Sequence, residues 1–549
     1  MADSSANIAA HLPIMAAAQP DALAVVVQKY ASKHPTYLYD EMTAARLEEE
    51  SNRVAHGLRR LGISEGTRTV LMVKPSIEFF VLTFALFKVG AIPVMVDPGM
   101  GIKNLKTCLA EAEPEAFIGI PKAHVARLLF GWGRESIRIN VTVGHRLFWG
   151  GETYTGIRSE SSEPVMASVD ADAMAAVLFT SGSTGIPKGV VYTHALFNAQ
   201  VDSLRDNYGI EPGERDLATF PLFALFGPAL GMASIVPDMD ASKPITADPA
   251  NLFAAMHDYD TTNLFASPAL IEKIGRYGES CNMPIPSLRR VISAGAPADP
   301  DSLARCATLL RDGVSIIPSY GATEALPVAS IAHQELIAET KIRTEEGNGL
   351  CIGRANGGLD VRIIRIDDEA IETWNDSLEV EPGVIGEICV SGPIVTGEYF
   401  ERPESTKLAK IVVLDSDTFY HRMGDLGHLD DQGRIWFCGR KAHRVVCGGT
   451  TYFTIPVERV YNVHPDVRRT ALVGIDSGGE TIPVLCVELK ENVDSQCFDE
   501  IVADLNRITE KYDHTRGITT FLRHDGFPMD VRHNAKIFRE KLAIWAGKN

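Results

Sequence analysis

The sequence predicts an α/β protein built from more than one domain, and three observations carry that expectation. Its 549 residues exceed the length at which a single hydrophobic core stops growing, so at least two domains are expected. Over roughly the first third of the chain, helical patterns alternate with short apolar runs, the pattern of helices laid on a mostly parallel sheet. From Gly383 to Gly439 the pattern changes to short strand-like pieces separated by Gly, Pro and Asp turns.

Taken in order, residues Ala44 to Leu61 read as a helix, Thr69 to Val73 as a strand, Ile77 to Val89 as a helix and Ile92 to Val96 as a strand. Asp97-Pro98-Gly99 and Ala296-Pro297-Ala298-Asp299-Pro300 carry turn chemistry. Val384 to Val390, Gly397 to Phe400 and Gly433 to Phe437 read as strands of a small antiparallel subdomain. Beyond Gly439 the chain has its own strand signals, Ala471 to Gly474 and Pro483 to Leu489, and a helix from Asp499 to Tyr512. The expected division is therefore residues 1–439 and residues 440–549.

Composition narrows the class. With 45% hydrophobic and 23% charged residues the chain is an ordinary globular one. A net charge of −18 without a Lys/Arg cluster argues against a nucleic-acid partner. Nine cysteines with no C-x-x-C pair suit reduced core thiols and make zinc an unfavoured expectation. No basic segment followed by an apolar run opens the chain, and a cytoplasmic location is expected. The uncharged stretch Leu217 to Pro237 has the length of a membrane span, but Pro221, Gly227, Pro228 and Gly231 interrupt it. It is expected to be buried core or pocket wall, leaving no transmembrane span.

Chemistry concentrates in Thr180-Ser181-Gly182-Ser183-Thr184-Gly185-Ile186-Pro187-Lys188-Gly189. Hydroxyls and closely approaching backbone N–H groups can wrap phosphate oxygens, and Lys188 adds a point charge. The Walker A spacing is absent, and Val190-Val191-Tyr192 reads as a strand where that motif needs a helix. An ordinary Gly/Ser turn with an incidental lysine is disfavoured by so many defined positions in a row. Further along come Ser293-Ala294-Gly295-Ala296-Pro297, Ser319-Tyr320-Gly321-Ala322-Thr323-Glu324, Tyr420-His421-Arg422-Met423-Gly424-Asp425, and Gly433 to Arg440. Near the end is Pro528-Met529-Asp530-Val531-Arg532-His533-Asn534-Ala535-Lys536.

In this order the motifs resemble those of the adenylate-forming superfamily of acyl-CoA synthetases, luciferases and adenylation domains. The resemblance implies a multi-sheet N-terminal domain with a small β-barrel-like subdomain and a small mobile α+β C-terminal domain. It implies that the chain uses ATP and Mg²⁺. Thr180 to Gly185 and Lys188 would hold phosphate, with Thr184 and Lys188 also acting in catalysis. Gly295, Ala296 and Pro297 would contact adenine, the Tyr320 ring would stack on it, Thr323 would approach the phosphate, and Ser319, Gly321 and Ala322 belong to the same nucleotide-binding motif. Glu324 would hold the metal through a hard carboxylate oxygen. Asp425 would accept from both ribose hydroxyls, and Arg440 would contact ribose or phosphate. Lys536 would bridge the substrate carboxylate and the α-phosphate, offsetting charge in the transition state.

Three departures select a branch. Ala442 and His443 follow the motif arginine where acyl-CoA synthetases usually place an acidic residue two positions on; the lysine loop is longer than the common pattern; and Phe223-Ala224-Leu225-Phe226-Gly227 lacks the histidine many CoA ligases carry. These variants resemble the β-lactone synthetases of bacterial long-chain olefin biosynthesis. That branch implies a long-chain 2-alkyl-3-hydroxy acid as substrate, an acyl-AMP intermediate and closure to a β-lactone without coenzyme A. It also implies work beside a thiolase-like condensing enzyme, a reductase and a β-lactone decarboxylase. Phe223, Ala224, Phe226 and Gly227 are the expected acyl-pocket residues. The alternatives are a fatty-acyl-CoA synthetase or acyl-AMP ligase, and a non-catalytic nucleotide-binding protein on the same fold. The second is disfavoured by the joint presence of Lys188, Glu324, Asp425, Arg440 and Lys536.

Overall fold

A computed structural model of the chain describes residues 6–29, 37–179, 187–491, 493, 497–529 and 537–549, with the side chains of residues 98 and 221–224 left out. Two large sheets organise it. In the first, Glu152–Thr153, Ile139–Thr142, Ala116–Gly119, Arg68–Met72, Ile92–Met95 and Met174–Phe179 run parallel, and Gly189–Thr193 closes the edge antiparallel.

The second sheet has fourteen strands. Its parallel half orders Leu23–Lys29, Ala233–Val236, Arg215–Ala218, Asn263–Ala266, Arg290–Ser293 and Ser315–Ala322. From Ala325–Ser330 onward the pairing turns antiparallel, through Leu350–Ala355, Ile435–Arg440, Phe419–Leu429, Gly386–Ser391 and Asp360–Ile364. Of the antiparallel pieces read from the sequence, Val384 to Val390 and Gly433 to Phe437 overlap strands Gly386–Ser391 and Ile435–Arg440 and extend the edge of the large sheet, whereas residues 397–400 form no strand and meet the first sheet through a bridge between Tyr399 and Val190. No pairing among the described residues closes them into a barrel.

The helices follow their sequence signals. Ala44–Arg60 starts where the Thr43 hydroxyl accepts from the Arg46 N–H and ends on Arg59 and Arg60, which favour the negative end of the helix dipole. Ile77–Lys88 is buried at ten positions, Phe79 to Lys88, which explains an apolar pattern without a polar face. The uncharged stretch beginning at Leu217 becomes a strand end, the helix Pro221–Ala229 and the strand Ala233–Val236. No helix among the described residues is long and apolar enough to cross a membrane.

Beyond Val445 a third sheet joins Val467–Ser477, Glu480–Leu489 and Thr520–Arg523. Strand alternation assigns its two faces. Leu472, Leu485 and Val487 pack under Val457, Tyr461, Ile501 and Leu505 of the helices Thr454–Tyr461 and Phe498–Lys511. Ala471, Val473, Val484 and Cys486 pack against Leu542 and Ala546 of the helix Arg539–Ala546.

Candidate functional site

The parallel strands of the fourteen-stranded sheet end along one edge, and the motif residues collect there, as ligand sites do in open α/β sheets. Strand Arg290–Ser293 runs into Ala294-Gly295-Ala296-Pro297. Gly295 takes φ +94°, a left-handed conformation that favours glycine, and sharpens the turn. Ser293 is 2% exposed and its hydroxyl has no hydrogen-bond partner. Next to it, strands Ser315–Ala322 and Ala325–Ser330 form a hairpin whose two turn residues are Thr323 and Glu324. The hairpin thus carries Glu324 to the sheet edge. Ser319 is held by the Tyr208 hydroxyl at 2.7 Å, and the Thr323 carbonyl accepts from the Tyr192 hydroxyl at 2.6 Å.

Residues 396–400 tie this hairpin to the first sheet. The Thr396 N–H donates to the Glu324 carbonyl at 2.9 Å, the Val191 N–H to the Glu398 carbonyl at 3.2 Å, and the Phe400 N–H to the Gly189 carbonyl at 2.7 Å. Tyr399 is consequently placed between the two sheets. Its hydroxyl donates to Glu324 Oε1 at 2.7 Å, and Lys188 Nζ lies 4.6 Å from its ring centroid. Burial, with the Glu324 carboxylate adding to it, raises the phenol pKa and keeps the proton on Tyr399.

Basic side chains surround Glu324, and burial pushes several of them towards their neutral forms. Burial lowers the Lys188 pKa, with Glu324 acting the other way and Arg402 adding to the lowering. Lys410 is 8% exposed, donates to the Thr396 carbonyl and is pushed down to about 7 by burial, again opposed by Glu324. Buried His421 is held well below the usual imidazole range by burial and then by Lys410. An added anion such as a phosphate would favour the charged forms of Lys188 and Lys410.

A second cluster links Tyr320, Asp425 and Arg440. Asp425 and Arg440 sit opposite each other on paired strands. The Tyr320 hydroxyl donates to Asp425 Oδ2 at 2.6 Å, and Arg440 Nε lies 3.1 Å from Oδ1. Oδ1 is buried and has no aligned hydrogen bond, so the pair is held by charge. Burial raises the Asp425 pKa, while Arg440 and the Tyr320 hydrogen bond counter it. Asp425 therefore faces Tyr320 and Arg440 in this arrangement. Tyr320 itself is partly buried.

The acyl-pocket expectation is modified at one residue. Phe226 and Gly227 lie in the helix Pro221–Ala229 with Phe223 and Ala224, whose side chains fall outside the described residues. Phe226 lines a small cavity of about 20 Å³ with Leu204, Ile210, Leu230 and Phe265, and Asp216 and Asn263 also border it. Gly227 does not open space for a substrate. A Cβ there would stand 2.1 Å from Ser234 Oγ, so the missing side chain lets the helix approach the adjacent strand. Among the other expected site residues, Thr180, Ser181, Gly182, Ser183, Thr184, Gly185 and Lys536 lie outside the described residues. The flanks of their segments pair with each other, Phe179 with Gly189 and Met529 with Ile537.

Tyr399, Thr396, Tyr192 and Lys410 were not singled out from the sequence. Only Lys410 carried a local signal, a lysine inside the apolar run Ala409-Lys410-Ile411-Val412-Val413. At the interdomain motif, Ala442 lies in a short turn, and His443 Nε2 is 3.3 Å from Glu540 Oε1 of the last helix.

Residues 14–400 match the family described as AMP-binding enzyme. The olefin beta-lactone synthetase of Xanthomonas campestris pv. campestris is 48% identical over 99% of this chain and 98% of its own length. That of Stenotrophomonas maltophilia is 46% identical over 98% of each. The amide bond synthetase McbA of Marinactinospora thermotolerans shares the fold, with a TM-score of 0.79 and 21% identity over 98% of this chain and 99% of its own. The chain belongs to the AMP-binding enzyme family and, within it, to the group of the olefin beta-lactone synthetases.

Proposed function

We propose that the chain converts a long-chain 2-alkyl-3-hydroxy acid and ATP into a β-lactone, AMP and pyrophosphate. The observation that carries this reading is near-half identity to olefin beta-lactone synthetases along practically the whole chain. The Lys188–Tyr399–Glu324 arrangement supports the first half-reaction. There a substrate carboxylate oxygen attacks the α-phosphorus and the bond to pyrophosphate breaks. Lys188 and Lys536 offset the charge that accumulates on the phosphoryl oxygens, and Thr184 donates to them. Tyr320, with Gly295 to Pro297, meets the adenine, Thr323 approaches the phosphate, Asp425 meets the ribose, and Arg440 meets ribose or phosphate. Residues 440–549 act as a separate domain that brings Lys536 to the cleft. In support, the apolar clusters beyond Val445 contain no residue from before it.

Glu324 fits Mg²⁺. Tyr399 holds one carboxylate oxygen and orients the other, a hard ligand of the kind Mg²⁺ takes beside substrate phosphates and water. When bound, the ion neutralises phosphate charge.

In the second half-reaction the 3-hydroxyl oxygen attacks the acyl carbon and the bond to AMP breaks. The nucleophile is tethered to the electrophile, which replaces an external acceptor, and the AMP leaving group drives formation of the strained ring. The product would pass to a β-lactone decarboxylase. Incubation with ATP, Mg²⁺ and a 2-alkyl-3-hydroxy acid, with and without coenzyme A, tests the reading by mass spectrometry. A lactone one water lighter than the acid is expected in both arms. A CoA thioester in place of the lactone would overturn it.

A further inference from the structure

At the far edge of the seven-stranded sheet from the Phe179–Gly189 hairpin, two segments carry apolar side chains into solvent. Leu128, Leu129 and Phe130 end the helix Pro121–Phe130 with exposures of 45%, 74% and 37%. Leu147 and Phe148, in the loop after strand Ile139–Thr142, reach 57% and 80%. The segments are neighbours. His124 in the helix stacks on Trp149 at 5.1 Å, His124 Nε2 bonds the Val141 carbonyl at 3.0 Å, and Trp149 Nε1 donates to Thr142 Oγ1 at 2.9 Å. Trp149 is therefore anchored, and it holds Phe148 outward from the same corner.

Cations interleave with these side chains. Lys122 lies two helical turns before Leu129 on the same face, Arg134 follows Phe130, and Arg146 precedes Leu147. Residues 121–149 contain five Lys and Arg against the single carboxylate of Glu135, in a chain whose net charge is −18. Arg127 is buried under the Phe117 ring, but Lys122, Arg134, Arg138 and Arg146 are exposed. Among the described residues none of these four forms an ion pair with a carboxylate.

We propose that this corner seats the protein on an anionic lipid bilayer. Leu128, Leu129, Phe130, Leu147 and Phe148 enter the headgroup and acyl boundary while the cations meet lipid phosphates. Lipid phosphates supply a counter-charge for each of these cations while the apolar tips enter the boundary beneath, whereas an apolar protein surface would leave the cations without one. The corner is remote from the adenylation cleft, and the inference does not depend on the reaction assigned there.

Flotation of the full chain with vesicles tests it, using phosphatidylcholine alone and phosphatidylcholine mixed with phosphatidylglycerol. Binding to the mixed vesicles, weakened by salt and slight on the neutral ones, is expected. Lys122→Glu with Arg134→Glu should weaken binding at least about fivefold for each charge. Leu129→Ser with Phe148→Ser should weaken it about tenfold or more at unchanged melting temperature and ATP–pyrophosphate exchange. Failure to float with anionic vesicles, or flotation that neither pair changes, overturns the proposal. So does a double variant that alters the solution mass while vesicle binding persists, which would mark the corner as a contact between copies.

Discussion

The Tyr399 hydroxyl donates to Glu324 Oε1 across 2.7 Å while the same ring lies 4.6 Å from the Lys188 ammonium. One side chain thus couples Lys188 to Glu324. Tyr399→Phe keeps the ring and removes the donor. A hydrogen bond to a charged group is worth about 1.5–3 kcal/mol, so adenylation should slow by roughly ten- to a hundredfold. The melting temperature should change little, and the Mg²⁺ concentration for half-maximal ATP–pyrophosphate exchange should rise. Wild-type Mg²⁺ dependence in this variant would show that the phenol does not orient Glu324.

The Asp425–Arg440 pair makes a different prediction, because Asp425 is buried and Arg440 is partly exposed. Arg440→Ala strands a buried carboxylate, a change costing about 3–5 kcal/mol in a fully enclosed pair and less here because solvent reaches the arginine. Adding Asp425→Asn should restore much of the lost stability while AMP affinity stays low. Urea unfolding of both single variants and the double variant, paired with calorimetric AMP titration, measures this. Additive losses in stability would show that the two groups are not coupled.

Much of this site was legible because its motifs are contiguous. Each of Ser319 to Glu324, Tyr420 to Asp425 and Gly433 to Arg440 occupies one strand or hairpin, and the order of elements predicted from Ala44 to Val96 is the order observed. Tyr399 was not legible. Its role arises only when residues 396–400 bond to Glu324 on one side and to Gly189 and Val191 on the other, contacts 72 residues or more apart in sequence. Likewise, Val384 to Val390 and Gly433 to Phe437 signal antiparallel strands correctly, but their attachment to the large sheet through strand Leu350–Ala355 depends on long-range register, and residues 397–400 form no strand. Gly227 looked like room for a ligand because a sequence does not reveal that Ser234 fills the space.

Gly227→Ala should accordingly act on the fold. The new methyl meets Ser234 Oγ, and overpacking of this kind costs about 1–3 kcal/mol. The melting temperature should fall, with kcat/KM reduced by a similar factor for short and long acids. Ser234→Ala in the same chain removes the clashing atom and should recover part of the loss. A selective loss on long acids, without destabilisation, would return Gly227 to the acyl pocket.

Lys410 gives stability a dependence on alkaline pH. Burial holds its pKa at about 7 in the fold, against an ordinary value of 10.5. Between these values the unfolded chain binds a proton that the folded chain does not, so stability rises with pH across that window, by at most about 1.4 kcal/mol per unit. Lys410→Met should flatten this rise, and its stability relative to wild type should be greatest near or below neutrality. Denaturant midpoints between about pH 7 and pH 10 measure it, and parallel curves for the two proteins would exclude Lys410 as the source.

Asp216 predicts a slope of opposite sign in a lower window. It lies fully within the fold beside the cavity lined by Phe226, and Asn263 Nδ2 donates to its Oδ1 at 2.5 Å. Burial pushes its pKa up to about 7 from 3.8, against the Asn263 hydrogen bond and the Arg290 charge. Over this range the folded chain holds a proton that the unfolded chain has lost, so the contribution is complete below about pH 4 and disappears as pH rises through about 7. Asp216→Asn cannot ionise. It also offers an amide N–H to Asn263 Oδ1, which is buried without a partner. The variant should therefore gain on wild type as pH rises, with the largest difference above neutrality. Urea midpoints at about pH 5 and about pH 8 distinguish the outcomes. A constant difference between the two proteins would mean that Asp216 ionises alike in the folded and unfolded chain.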